Sequence, residues 1–292
     1  MIRRVSYFGL QVVAVALLAV FAGCGGPSGK TSGSGGSSET VTVKGSDTMV
    51  ILGQRWAEIY MKSHPQAKIQ VVGGGSGTGF AALQNGMTDI AQSSRPIKDK
   101  ECQSIKARFN QEVSEYTVAR DGVTIYVHEG NPLKALTMAQ LKDLYTGKIT
   151  NWKQVGGSDS PITLYSRENN SGTYVFFKEH VLKKEDFAIS AQTLPGTSAI
   201  VNAVSRDPYG IGYGGIAYTK GVKAVPVKKD DQSPAVEASL ATIQSGAYPL
   251  SRPLFEYTVG APKPSAKAFI DFCLSPEGQK IVKEVDYVPV DR

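Results

Sequence analysis

From residue 41 onward the chain alternates short β-branched runs with longer stretches of helical period, which confines it to α/β folds in which helices cover a sheet. Residues 41–44 read as a strand. The helix expected over 49–63 puts Met49, Leu52, Trp56, Ile59 and Tyr60 on one face, with Pro65 just beyond its end. A second strand at 69–72 leads through a glycine-rich turn into a helical stretch at 80–84, stopped by Asn85-Gly86. Residues 122–128 form a longer strand-like run, 163–166 another, and 254–259 a third. Helices are expected at 138–145, opened by a Thr137/Gln140 capping box, at 173–182, at 265–274, and at 276–285 behind Ser275-Pro276. The strand-like crossings near Thr124 and Tyr257 suggest an inserted lobe: 41–125 with 254–292 as the first lobe, 126–253 as the second.

Three strand-to-helix junctions share one design: Gly45-Ser46-Asp47-Thr48, the run 73–79 (GGGSGTG), and the run 167–173 (RENNSGT). At a helix start the first N–H groups lack intrahelical acceptors, and the helix dipole adds partial positive charge. Serine and threonine hydroxyls add donors, and glycine lets an anion approach the backbone. One such turn is equally well a local cap. Three in one α/β chain point to an oxyanion held beyond the carboxyl ends of the strands, where ligands of open sheets sit. Arg167 and Arg95 offer bidentate donors for it, the alternative for each being an ion pair.

Other chemistry is weakly signalled. No glycine-rich turn ends in Gly-Lys-Ser/Thr, and neither Ser76 nor Ser171 lies in a Gly-x-Ser-x-Gly elbow. His64, His128 and His180 lack metal-ligand spacing, so neither a catalytic residue nor a metal or other cofactor is expected. There is no basic cluster with interleaved aromatics, so nucleic acid is not expected as a partner. Cys102 and Cys273 pair or stay free; spacing does not decide.

The N-terminus carries Arg3 and Arg4, an apolar run at 12–21, then Ala22, Gly23 and Cys24. This is the layout of a secretory signal over 1–23, the apolar run being too short to cross a bilayer. It resembles a bacterial lipoprotein signal that makes Cys24 the lipidated first residue, although Phe21 stands where leucine is usual. An ordinary signal with an incidental Cys24 is the alternative. Residues 24–40, the cysteine and a Gly/Ser-rich stretch, then form a flexible tether. The formal charge is +6; without Arg3 and Arg4 it is +4, a mild bias toward anionic ligands.

The segments 44–49 (KGSDTM), 141–152 (LKDLYTGKITNW), 166–173 (SRENNSGT), 207–218 (DPYGIGYGGIAY) and 272–289 resemble the phosphate-binding proteins of bacterial phosphate ABC transporters. The resemblance covers 41–289 and implies a two-lobed type II periplasmic-binding-protein fold, each lobe a mixed sheet flanked by helices, with the ligand in the cleft. It implies phosphate contacts from Ser46, Thr48 and the Met49 N–H, from Ser76 and Gly77, and from Arg167, Ser171, Gly172 and Thr173. It also implies delivery of phosphate to membrane permease subunits, and a monomer is expected; the alternatives are a binding protein for another oxyanion (sulfate, molybdate or a phosphonate) or a secreted phosphatase. The better-known members carry an aspartate at the place of Arg95, where it accepts the hydrogen bond of the protonated phosphate. Asp47 is the first candidate to replace that acceptor, or else it caps the helix behind it.

Overall fold

The computed structural model describes residues 39–290; the expected signal, Cys24 and nearly all of the tether lie outside them. The strands are β1 (Thr40–Gly45), β2 (Lys68–Val72), β3 (Ile90–Ser93), β4 (Val113–Val127), β5 (Leu136–Thr137), β6 (Thr163–Arg167), β7 (Gln192–Leu194), β8 (Gly210–Gly215), β9 (Lys223–Val225), β10 (Val227–Lys228) and β11 (Ser251–Val259). The helices are α1 (Val50–Ser63), α2 (Ser76–Gln84), α3 (Asp99–Phe109), α4 (Met138–Tyr145), α5 (Gly172–His180), α6 (Thr197–Val204), α7 (Leu240–Gln244), α8 (Pro264–Leu274) and α9 (Pro276–Glu284).

Local chemistry accounts for several boundaries. Thr137 Oγ1 accepts from Gln140 N at 3.1 Å while Thr137 N donates to Gln140 Oε1 at 2.9 Å, so α4 starts where its capping box places it. Ser275 Oγ accepts from Gly278 N at 3.1 Å and Pro276 fills the first position of α9. The first helix differs from expectation: Asp47–Met49 form a 3-10 turn, and α1 begins only at Val50. Thr40 opens β1, and the preceding Glu39 pairs with Lys263 at 3.2 Å, so the domain takes hold of the chain at the last expected tether residues.

One twisted sheet runs β2-β1-β3-β11-β4-β8-β6-β7, with β9 also on β4. Neighbours on the β2-β1-β3 side and on the β8-β6-β7 side are parallel, whereas β11 and β4 run antiparallel to what they join. Strand β4 is the link. Its residues up to Gly122 pair with β11, and from Val123 onward it pairs with β8 and β9. The sheet thus serves two lobes, joined by β4 and β11.

Each lobe has an aromatic anchor. Trp56 on α1 is fully buried and donates to the Gly278 carbonyl at 2.8 Å. In the other lobe Tyr145 packs its ring edge-on against Phe177 and Tyr213, with centroids 4.8 and 5.4 Å away. Trp152 donates to the Tyr209 carbonyl at 3.0 Å. The 141–152 segment, which carries no ligand chemistry, is therefore the core and buttress of this lobe. Cys102 and Cys273 are both free, and burial pushes the Cys273 thiol up.

Candidate functional site

The three Gly/Ser/Thr junctions lie at the carboxyl ends of β1, β2 and β6, and the fold brings them together. Thr48 Oγ1 and Thr173 Oγ1, 125 residues apart, are 2.9 Å from each other in a buried setting. Ser46 Oγ donates to Ser94 Oγ at 3.0 Å, and Ser94 N donates to Ser76 Oγ at 3.1 Å. Gly172 faces this serine cluster so closely that a Cβ there would lie 2.7 Å from Ser94 Oγ and closer still to Ser76 Oγ. In the second junction Gly75 has φ +88°, a conformation open to glycine, and a Cβ there would meet the Asn170 carbonyl at 2.8 Å.

Helix α5 supplies the most direct donors. Ser171 Oγ caps it by accepting from Tyr174 N at 3.3 Å, which leaves the hydroxyl hydrogen for another partner. Gly172 and Thr173 carry its first N–H groups, which a helix leaves without intrahelical acceptors.

Arg167, at the end of β6, is 1% exposed. Its Nε donates to Glu168 at 2.8 Å, Nη1 to Thr197 Oγ1 at 3.0 Å and Nη2 to Asp47 Oδ2 at 2.7 Å. A guanidinium has five N–H groups, so two remain for an incoming anion. Ser166 Oγ and Tyr213 Oη lie 2.9 Å apart and tie the end of β6 to the Tyr145 cluster.

Four sequence expectations need correction. The Arg95 guanidinium turns to Glu101, with 2.6 and 2.8 Å bonds, because α3 places that carboxylate beside it; it also holds the Pro96 carbonyl and lies over the Phe80 ring at 4.7 Å, while its Nε has no partner among the described residues. Its chain neighbour Ser94 joins the hydroxyl cluster instead. Asp47 does not cap its helix: Oδ1 accepts from Gly74 N at 2.8 Å and Oδ2 from Arg167, and each oxygen keeps a second lone pair. The Met49 N–H closes the 3-10 turn onto the Ser46 carbonyl at 3.0 Å. The Gly77 N–H donates to the Asn170 carbonyl at 2.8 Å, since the third junction packs directly on the second.

The residue that sequence reasoning missed is Arg252 on β11. It is 4% exposed and binds Asp121 of β4 through Nε at 2.9 Å and Nη2 at 2.7 Å. It also reaches Thr173 Oγ1 at 3.0 Å and Thr48 Oγ1 at 3.3 Å. Only the pairing of Arg252 with Asp121 across two distant strands brings it here, and no local motif announces that register. Two tyrosines fix the first junction from outside: Tyr218 donates to the Asp47 carbonyl at 2.7 Å and Tyr287 to the Thr48 carbonyl at 2.6 Å. Burial pushes both phenols well up, so they stay protonated donors near neutral pH. Around the cluster stand two guanidiniums and three carboxylates, Asp47, Glu168 and Asp121. An anion bound here would be held by hydroxyl and N–H dipoles more than by net charge.

A family model described as a PBP superfamily domain matches residues 30–277. The phosphate-binding protein PstS of Pseudomonas aeruginosa is 34% identical over 278 residues, covering 89% of this chain and 85% of that one. The protein of the same name from Staphylococcus aureus is 35% identical over 298 residues, covering 98% and 88%. Among solved structures, a Clostridium perfringens protein described as a phosphate ABC transporter substrate-binding protein with bound phosphate matches with TM-score 0.80 and 34% identity, covering 87% of this chain and 100% of that one. With that fold, and with relatives of this identity aligned over nearly its whole length, the chain belongs to the PstS family of type II periplasmic binding proteins.

Proposed function

We propose that this chain captures inorganic phosphate outside the cytoplasm and delivers it to the permease subunits of an ABC transporter. The observation that carries the reading is the meeting of the three helix-start junctions, drawn from both lobes, at one buried hydroxyl cluster. Phosphate would be held by Ser46, Thr48, Ser76, Arg167, Ser171 and the N–H groups of Gly172 and Thr173. Closure follows because an anion satisfies donors from both lobes only when they meet. A micromolar Kd corresponds to about 8 kcal/mol, which about ten hydrogen bonds supply at about 1 kcal/mol each. No bond is made or broken, and no cofactor is needed.

The lobes are taken as 41–125 with 254–292 and 126–253, β4 and β11 serving as the hinge. The signal layout and Cys24 support export and lipid anchoring to a bacterial membrane, with the Gly/Ser stretch as tether. A monomer suffices, since both sides of the site come from one chain.

Equilibrium titration of refolded, phosphate-stripped protein tests the reading. Binding at micromolar phosphate is expected, and no binding below about millimolar, some 4 kcal/mol, would end it. One observation favours a second reading, an oxyanion without a proton such as sulfate. Arg95, where the resemblance implies an aspartate, turns to Glu101, and Asp47 is paired with Arg167, so among the described residues no unpaired carboxylate at the cluster repels a fully ionised ligand. Sulfate that displaces phosphate at equal concentration would favour it.

A further inference from the structure

Arg252 belongs to none of the three junctions, yet it connects all of them. It stands opposite Asp121 in the β4–β11 pairing, on the two strands that join the lobes. The pair is buried, with 2% and 0% of its side chains exposed. Asp121 Oδ2 takes both Nε and Nη2, while its Oδ1 accepts from Ile216 N at 3.1 Å, so neither side chain is free to turn. Nη1 donates to the Ser94 carbonyl at 3.1 Å, and Ser94 in turn bonds Ser76 and Ser46. The Phe176 ring lies 5.3 Å from the guanidinium carbon and closes off that side.

Nη2 has two hydrogens. One goes to Asp121, and the other is shared between the oxygens of Thr173 and Thr48. A guanidinium only donates. Each threonine oxygen must therefore accept from Arg252, and each keeps its own hydrogen for something else. Without another acceptor one of these hydrogens bridges the 2.9 Å between the two oxygens. An anion entering between the junctions gives both a better one.

We propose that Arg252 is a positioning residue: it fixes Thr48 and Thr173 as hydrogen-bond donors toward the anion and so sets the affinity of the closed site. The inference rests on the phosphate reading and adds a residue and a mechanism to it. Its dependence on both threonines makes it separable from a merely structural role, because those two hydroxyls are the ligand-facing groups that Arg252 itself touches.

The test is a mutant cycle on the folded mature chain, with phosphate affinity from equilibrium dialysis and folding from thermal melts. Arg252→Lys keeps a countercharge for Asp121 but loses the planar fork. It should bind phosphate about 30-fold more weakly, as should T48V/T173V, the loss expected for charge-assisted bonds. The triple variant R252K/T48V/T173V should be within about threefold of T48V/T173V, since the contact left to Arg252, on the Ser94 carbonyl, positions no ligand-facing hydroxyl directly. Losses that multiply in the triple variant, or an R252K affinity within about twofold of wild type, would overturn the proposal. If R252K lacks a cooperative melt, R252Q/D121N, which leaves no lone charge, takes its place in the cycle. A wild-type chain that binds no phosphate ends the phosphate reading first. A wild type that binds, with an unaltered Arg252 variant, ends this inference alone.

Discussion

Asp47 Oδ2 lies 2.7 Å from Arg167 Nη2, a bond that spans 120 residues and joins the turn after β1 to the end of β6. The other oxygen of Asp47 holds Gly74 N, so one carboxylate links the first junction to the second and the third. Asn170 adds to the fastening, donating to the Gly74 carbonyl at 3.1 Å and to Thr78 Oγ1 at 3.0 Å. The closed arrangement is thus held by contacts of the protein's own, and an anion would add to them.

If Asp47 is part of that fastening, Asp47→Ala should open the phosphate-free protein. Removing one partner of a largely buried pair leaves Arg167 without its cross-lobe contact, which favours water entering between the lobes. Small-angle scattering in phosphate-free buffer should show a larger radius of gyration for the variant than for wild type, with the difference shrinking on adding phosphate. Equal radii without ligand would show that the other cross-lobe bonds suffice.

The balance of charge around the cluster has its own consequence. Two guanidiniums against three carboxylates leave no net positive charge to be screened. Phosphate affinity should therefore change by less than about threefold between roughly 0.05 and 0.5 M sodium chloride, a range over which exposed charge pairs are strongly weakened. A steep fall in affinity would mean that long-range attraction, and not local dipoles, holds the ligand.

Much of this was legible in the residues. The strand-turn-helix order, the Ser/Thr/Gly junctions and the crossing strands are local patterns, and local patterns survive in a sequence. Other elements left little trace. Helix α3 buries only Ile105, so no apolar stripe marks it, and β8 is GIGYGG, whose four glycines hide a fully buried strand. Only the end of β4 was visible, because residues 113–117 pair with β11 while staying partly exposed and mixing Val113 and Tyr116 with Ser114, Glu115 and Thr117. In the site, the roles of Asp47 and Arg95 hinged on which side chain each met after folding. Arg252 depended on a register between strands more than 100 residues apart in the chain.

Gly172 offers a clean test of how tightly the lobes close. It occupies the first position of α5, and an alanine there suits a helix, so local structure should not suffer. The added methyl meets Ser94 Oγ at 2.7 Å and Ser76 Oγ closer still, both across the cleft. Gly172→Ala should therefore keep its melting temperature within about 2 °C while losing at least about 100-fold in phosphate affinity, roughly the cost of overpacking a closed contact. Unchanged affinity would mean that the ligand-bound lobes stand further apart than these contacts indicate.

Stability should fall as pH rises, and Glu256 is the reason. It sits on β11 with no solvent exposure; Oε1 accepts from Gln92 Nε2 at 3.0 Å, while Oε2 has no partner among the described residues. Burial raises its pKa to about 7 from an ordinary 4.5, with the Gln92 bond pulling the other way. The folded state thus holds this proton more tightly than the unfolded chain. Its contribution is whole below pH 4.5, declines as pH rises through 7, and is lost above that, a difference of about 3 kcal/mol. Denaturant midpoints measured from pH 5 to 8.5 should drop accordingly in wild type. In Glu256→Gln, which cannot ionise, that slope should vanish, whatever the variant's absolute stability. A slope that persists in the variant would assign it to other groups.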